Sequence, residues 1–203
     1  MRLLLLADTH VPARARNLPA PVWDEVDRAD VVVHAGDWTS PVLLDTLRGR
    51  ARTLMACWGN NDGPELRARL PEVARATLAG VRVVVVHETG PAAGRERRVA
   101  AAYPDTDLVV FGHSHIPWDS TIARAAAGAG AAVSEAAGSL RLLNPGSPTD
   151  RRRQPHRTYL TATLADGAIT DVVLHPLPQP PSRPARSRSD RPRLGDRPVP
   201  PVG

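Results

Sequence analysis

Seven side chains able to hold metal ions stand in five short polar clusters, and each cluster follows directly on an apolar run. The clusters are Asp8-Thr9-His10, Gly36-Asp37, Gly59-Asn60-Asn61-Asp62, His87 and Gly112-His113-Ser114-His115. Two divalent ions ~3.5–4 Å apart need a ligand that touches both, and a carboxylate with two oxygens is the usual one, which makes Asp37 the natural bridge. Asp8, His10 and His115 then complete the shell of one ion, and Asn60, His87 and His113 that of the other. In Asp8-Thr9-His10 and His113-Ser114-His115 the two ligands are one residue apart, and in an extended segment that spacing puts both on one side. Imidazole, carboxylate and amide donors without thiolate suit Mn²⁺, Fe, Zn²⁺, Co²⁺ or Ni²⁺ better than the all-oxygen sites of Ca²⁺. Singly, each cluster has an ordinary explanation as a turn, a cap or a satisfied buried histidine. Five in order after five apolar runs do not.

The runs that must position these clusters are Leu3-Leu4-Leu5-Leu6, Val31-Val32-Val33, Thr53-Leu54-Met55, Val83-Val84-Val85-Val86 and Leu108-Val109-Val110-Phe111. They read as buried strands bounded by turn residues. In a layered α/β domain, functional side chains collect where successive strands end along one sheet edge. Helical spacing is predicted over Pro21–Arg28 and from Pro41 to Leu47, the second with Ser40 as N-cap and Pro41 in the first turn. Val73–Leu78 and Val81–Val86 flank Ala79-Gly80 as a hairpin, and Gly94–Tyr103 is helix-like. Strands follow at Asp119–Ala123, Leu140–Leu143, Thr158–Leu164 and Ile169–His175, with the Ala/Gly-rich stretch 125–138 expected as a loop. The pattern is βαβα followed by antiparallel strands, hence an α/β fold of two packed sheets with outer helices.

A chain of 203 residues is most simply one globular domain, here predicted over 1–177, with a separate tail over 178–203. That tail is dominated by Pro, Arg and Ser and carries six Arg against two Asp, which is +4 of the chain's net +5. It has too few apolar side chains to offset the entropy of ordering and is expected to be disordered. It reads as a solvated extension before it reads as a nucleic-acid contact. Cys57 has no partner cysteine, which fits a reducing compartment, and no run approaches the ~20 apolar residues of a membrane span. The expectation is a soluble cytoplasmic protein with no membrane partner, for which a homodimer would be the commonest closed assembly.

In order and spacing the five clusters resemble the calcineurin-like metallophosphoesterase superfamily, closest to its small bacterial and archaeal phosphodiesterase branch, where a later Asn-Pro-Gly-Ser also occurs, here Asn144-Pro145-Gly146-Ser147. The resemblance covers roughly residues 1–176 and implies a four-layer αββα sandwich. It assigns Asp8, His10, Asp37 and His115 to one metal and Asp37, Asn60, His87 and His113 to the other, as the donor chemistry does. Many relatives carry a His directly after the third-motif Asn, where Asn61 stands here, and a neutral amide is no general acid near pH 7. Thr89 stands where many relatives have a second His two residues beyond the one matching His87.

The implied function is a dinuclear metal-dependent phosphodiesterase acting on a small phosphate ester, with Mn²⁺ placed first among the candidate metals. A water held between two such ions becomes hydroxide near neutral pH and attacks phosphorus directly. Asn60, Asp62 and His87 are the candidate catalytic residues, with Asp62 expected to accept a hydrogen bond from a ligand histidine. Arg14 and Arg16 are candidates for phosphoryl contacts, and Trp38, Trp58 and Trp118 for a stacking rim. The alternatives are a catalytically weak interaction scaffold of the same fold, as in a eukaryotic retromer subunit similar to this branch, or a nuclease.

Overall fold

A computed structural model describes residues 1–123 and 138–178. The Ala/Gly-rich stretch and the Pro/Arg-rich tail expected from the sequence lie, but for Gly138 and Pro178, outside the described residues. In chain order the elements are β1 (Arg2–Leu6), α1 (Ala20–Arg28), β2 (Val31–Ala35), α2 (Pro41–Arg50), β3 (Leu54–Cys57), α3 (Pro64–Arg69) and β4 (Val73–Leu78). There follow β5 (Val81–Val86), α4 (Arg95–Ala102), β6 (Leu108–Val110), β7 (Trp118–Ala123), β8 (Ser139–Asn144), β9 (Arg157–Ala165) and β10 (Ala168–Leu177).

The strands form two five-stranded sheets, ordered β10-β9-β1-β2-β3 and β4-β5-β6-β8-β7. In the first, β1, β2 and β3 run parallel, and β9 returns antiparallel to β1. Leu3 to Leu6 are fully buried on both faces, as parallel strands covered from both sides require. Leu3 and Leu5 join Val33, Val83, Val85 and Val110 in the core between the sheets. Leu4 and Leu6 face outward onto Val22 and Val26 of α1 and onto Leu44 and Leu47 of α2. On the far side, Val84, Val109 and Phe111 pack with Val99 of α4. The layers are therefore helix, sheet, sheet, helix: the αββα sandwich of the calcineurin-like fold.

Local signals fix several boundaries. Ser40 Oγ accepts a 3.3 Å hydrogen bond from the Val42 amide, with Pro41 opening α2. β4 and β5 form the expected hairpin, in register from Val73–Val86 to Leu78–Val81. Two expectations change. The second sheet is not antiparallel throughout: β5, β6 and β8 run parallel at its centre, because α4 returns the chain between β5 and β6, and β7 runs opposite to its neighbour β8. A short helix, α3, also follows the third cluster, started by Pro64 at its first turn. No helix among the described residues is long and apolar enough to cross a membrane.

The parallel arrangement has one functional consequence. β1, β2, β3, β5 and β6 all end at the same edge of the sandwich, so the clusters at Asp8, Asp37, Asn60, His87 and His113 converge there.

Candidate metal centre

The segments leaving the strand ends turn sharply through left-handed backbone. Asp8 (φ 53°), His10 (φ 43°), Asp37 (φ 61°), His113 (φ 69°) and His115 (φ 57°) all have positive φ. Asp and His tolerate this region better than bulkier residues, yet each such residue still costs on the order of 1 kcal/mol. The spacing of one residue in Asp8-Thr9-His10 and His113-Ser114-His115 thus brings both ligands inward through this turn, and not through an extended strand. Gly36 also has positive φ (82°), and a Cβ there would lie 2.7 Å from His87 Nδ1. A Cβ on Gly59 would collide with the Asp37 carboxylate and backbone nitrogen.

All seven predicted ligands come together. Asp37 lies between the two groups: its Oδ2 is 3.5 Å from His10 Nε2 and its Oδ1 3.4 Å from His87 Nε2. On one side His115 Nε2 is 3.5 Å from Asp8 Oδ1 and 3.2 Å from His10 Nε2. On the other, Asn60 Oδ1 is 2.9 Å from His87 Nε2 and 3.0 Å from His113 Nδ1. Donor atoms of Asp8, His10 and His115, and again of Asp8, Asp37 and His87, lie within 4.8 Å of one another. Two of the imidazoles are oriented from behind. His87 Nδ1–H donates to Ala35 O at 2.7 Å and His115 Nδ1–H to Asp150 O at 2.6 Å, which leaves each Nε2 facing the centre.

Electrostatically the centre is short of positive charge. Burial pushes the Asp8 carboxyl up to about 8, against the opposing pull of His87. Its Oδ2 is buried without any hydrogen-bond partner. Burial also acts to raise Asp37, but hydrogen bonds from His87 and Asn61 hold it well below the usual carboxylate range. His87 is raised because Asp37 and Asp8 outweigh its burial. Burial lowers His10, and lowers His115 to about 4, so both imidazoles are neutral donors at pH 7. An orphaned carboxylate oxygen, two imidazole Nε2 atoms turned toward each other and a carboxylate between two donor groups fit divalent cations, and the nitrogen and oxygen donors fit first-row transition metals.

Further residues hold the turns and the Asp37 carboxylate. Asp62 was expected to receive a histidine N–H; instead its carboxylate accepts from the backbone amides of Asp37, Trp38, Thr39 and Gly59 at 2.7–3.1 Å. Left-handed Asp37 and Thr39 take the chain out of the strand, so the amides of residues 37–39 have no ladder partners, and one carboxylate gathers them. Asn61 donates to Asp37 twice, from its backbone N at 2.9 Å and from Nδ2 at 2.6 Å. Asn144, Ser147 and Thr149 tie the first and last clusters together. Asn144 Nδ2–H donates to Gly112 O, Ser147 Oγ–H to Asp8 O and Thr149 Oγ1–H to Thr9 O. The Asn-Pro-Gly-Ser motif marked this segment in the sequence, but nothing there marks the Asp150 carbonyl, which acts through its backbone alone.

The predicted rim divides. Trp38 is fully buried, stacked on His34 with ring centroids 3.5 Å apart, and its Nε1–H donates to Cys57 O, so it packs the core and stacks on no substrate. Trp58 is half-buried beneath the Arg67 guanidinium, and Trp118 beneath that of Arg95. Arg14 is exposed and pairs with Asp150 at 3.5 Å, and Arg16 is exposed in the same loop.

Comparison with known proteins follows the geometry. The profile of the calcineurin-like phosphoesterase superfamily domain matches residues 1–167. The chain belongs to that superfamily. A probable metallophosphoesterase of Methanocaldococcus jannaschii is 29% identical over 150 residues, covering 73% of this chain and 69% of that protein. A second, from Methanothermobacter thermautotrophicus, is 28% identical over 151 residues, covering 73% and 78%. These relatives place the chain with the small prokaryotic branch. The solution structure of a Thermotoga maritima protein matches with a TM-score of 0.62 at 25% identity, covering 87% of this chain and 99% of that one. Vps29 of Entamoeba histolytica in complex with zinc matches at 0.64 and 19%, covering 87% and 98%, and shares the fold. Family and donor groups together support a metal-dependent phosphoesterase.

The raised Asp8 carboxyl sets the sign of a pH effect. Folded, metal-free protein holds this proton up to about pH 8, whereas the unfolded chain releases it near 3.8, so the group's contribution to stability is full below pH ~4 and is lost as pH rises through about 8. In chelator, Asp8→Asn should therefore melt above wild type at pH 8, with the gap closing toward pH 4; thermal melts across that range check it. A methyl at Gly59 displaces Asp37, so Gly59→Ala should weaken Mn²⁺ binding at least ~10-fold in calorimetric titration, the loss typical when support for a ligand is disturbed.

Proposed function

We propose that the chain hydrolyses phosphodiesters with two divalent cations, one held by Asp8, His10, Asp37 and His115 and the other by Asp37, Asn60, His87 and His113. The observation that carries this reading is Asp37, whose two carboxylate oxygens face histidines of different groups at 3.5 and 3.4 Å. Two such ions would supply an activated water for direct attack on phosphorus and offset charge on the phosphoryl oxygens, with Mn²⁺ the first metal to test, ahead of Zn²⁺, Fe, Co²⁺ and Ni²⁺.

The chain's own residues do the rest. Asn61 and His87 keep Asp37 ionised and fix its orientation. Asn60 offers a neutral carbonyl oxygen between His87 and His113, which holds a cation without adding charge. Asp62 holds the turns that carry Asp37 and Asn60 in one register. Because Asn61 is committed to Asp37 and cannot donate a proton as an acid, esters with good leaving groups are favoured. An intact donor set, with no Asp or His lost, favours the enzyme over a binding scaffold of the same fold and over a nuclease. A cytoplasmic location, a homodimer and an independent Pro/Arg-rich tail over 178–203 complete the proposal.

Purified protein should hydrolyse bis(p-nitrophenyl) phosphate in the presence of Mn²⁺ and do so faster than the monoester. Asp37→Asn should lower the rate at least ~100-fold, the scale of removing one charge partner of a transition state. Failure of wild type to bind metal or to cleave either ester, after loading with Mn²⁺, Zn²⁺ or Ni²⁺, would sink the catalytic reading.

A further inference from the structure

Arg95, the first residue of α4, is only 6% exposed, yet it pairs with no carboxylate among the described residues. Its Nε is buried without a hydrogen-bond partner, and Nη2 has only a long 3.4 Å contact to Gly90 O. Its guanidinium instead lies against Phe111 and Trp118, 4.8 and 4.6 Å from their ring centroids. Burying a cation this way is unfavourable unless an anion or a full set of acceptors compensates it, and two ring faces offset only part of that cost. Burial accordingly weakens its hold on the proton, against the pull of Glu96.

The position is informative. Arg95 lines a cavity of about 450 Å³ with Glu88, Thr89, Gly112, His113 and Ser114. Gly112 and His113 also border the metal centre: a Cβ on Gly112 would sit 3.0 Å from Asp8 Oδ2, and the His113 amide donates to Asp8 Oδ1. The cavity thus opens beside the donor cluster and holds at its wall a cation lacking a counter-charge. Arg98, from the next turn, adds a second guanidinium that ties down the rim through the carbonyls of Thr89, Pro91 and Ala93.

We propose that Arg95 is an anion-binding residue for a second phosphate group of the substrate, so that the preferred substrates are phosphodiesters that also carry a phosphate monoester. The guanidinium is suited to this by its fixed fork of donors, and the aromatic faces hold it in place before the anion arrives. The Glu88 carboxylate, 3.7 Å from His113 and half-exposed in the cavity lining, disfavours an anion beside it, which leaves Arg95 as the place for the phosphate. This inference rests on the phosphodiesterase reading for its substrate, but not for the existence of the anion site.

Two measurements separate these. In chelator-treated full-length protein, inorganic phosphate should change the fluorescence of Trp118, the ring beneath the guanidinium, in a saturable way; Trp118→Phe identifies the signal. Arg95→Met should raise the apparent Kd for phosphate about tenfold or more, the value of one charge-assisted contact. With Mn²⁺, thymidine 5′-(p-nitrophenyl phosphate) is then compared with its 3′-phosphorylated counterpart. Wild type should prefer the second about tenfold in kcat/KM, and Arg95→Met should bring the ratio near one, a ratio that general damage to folding would not erase. Phosphate that leaves Trp118 unchanged, or acts equally on Arg95→Met, overturns the site. A successful titration with a ratio near one in wild type overturns the substrate assignment in favour of free phosphate. If neither ester is cleaved, the enzymatic reading fails while the metal-free titration still decides the site.

Discussion

Two carboxylates, Asp8 and Asp37, are buried at the ends of adjacent parallel strands, and among the described residues no arginine forms an ion pair with either. Ionised carboxylates in apolar surroundings need positive charge close by, and among the described residues it comes first from an imidazole, that of His87, with a smaller pull from Arg152 on Asp8. In the metal-free protein the shortage is met by protons: Asp8 keeps its own and His87 gains affinity for one. Everything around the centre is arranged to hold that unfavourable grouping in place.

The holding is done mainly through the backbone. Left-handed residues at Asp8, His10, Asp37, His113 and His115 would relax if the turns were free. Asp62 gathers three amides of the Asp37 turn together with that of Gly59, and Ser147 and Thr149 secure the carbonyls of Asp8 and Thr9. Beneath them lies a continuous apolar core, with Leu3, Leu5, Val33, Val83, Val85 and Val110, which keeps the strand ends level. The strain at the edge is borne by packing that has no part in the chemistry.

Much of this was legible from residue order. Apolar runs followed at once by Asp, Asn or His marked both the strands and the ligands, and Ser40-Pro41 marked the start of α2. What escaped was non-local or carried by the backbone. The parallel pairing of β5, β6 and β8 depends on where long connections return, and β6 is only three residues long. Asp62 was rightly singled out but given a histidine partner, because four converging amides leave no trace in side-chain identity. Trp38 stood beside a ligand in sequence and turned out to point into the core, since residues on either side of a left-handed turn diverge. Arg95 looked like one more helical arginine; its burial becomes apparent only once Phe111 and Trp118 arrive from other strands.

The donors are divided between the two halves of the sandwich. Asp8, His10, Asp37 and Asn60 follow strands of the first sheet, whereas His87, His113 and His115 follow strands of the second. The core between the sheets is non-directional hydrocarbon, which resists separation but defines alignment weakly, so alignment rests on polar contacts at its edges such as His87 to Ala35 O and the His113 amide to Asp8. A cation held across that seam would act as a non-covalent cross-link at its open edge: it would stabilise the folded chain in proportion to the logarithm of its concentration and couple the sliding of one sheet against the other to release of the ion.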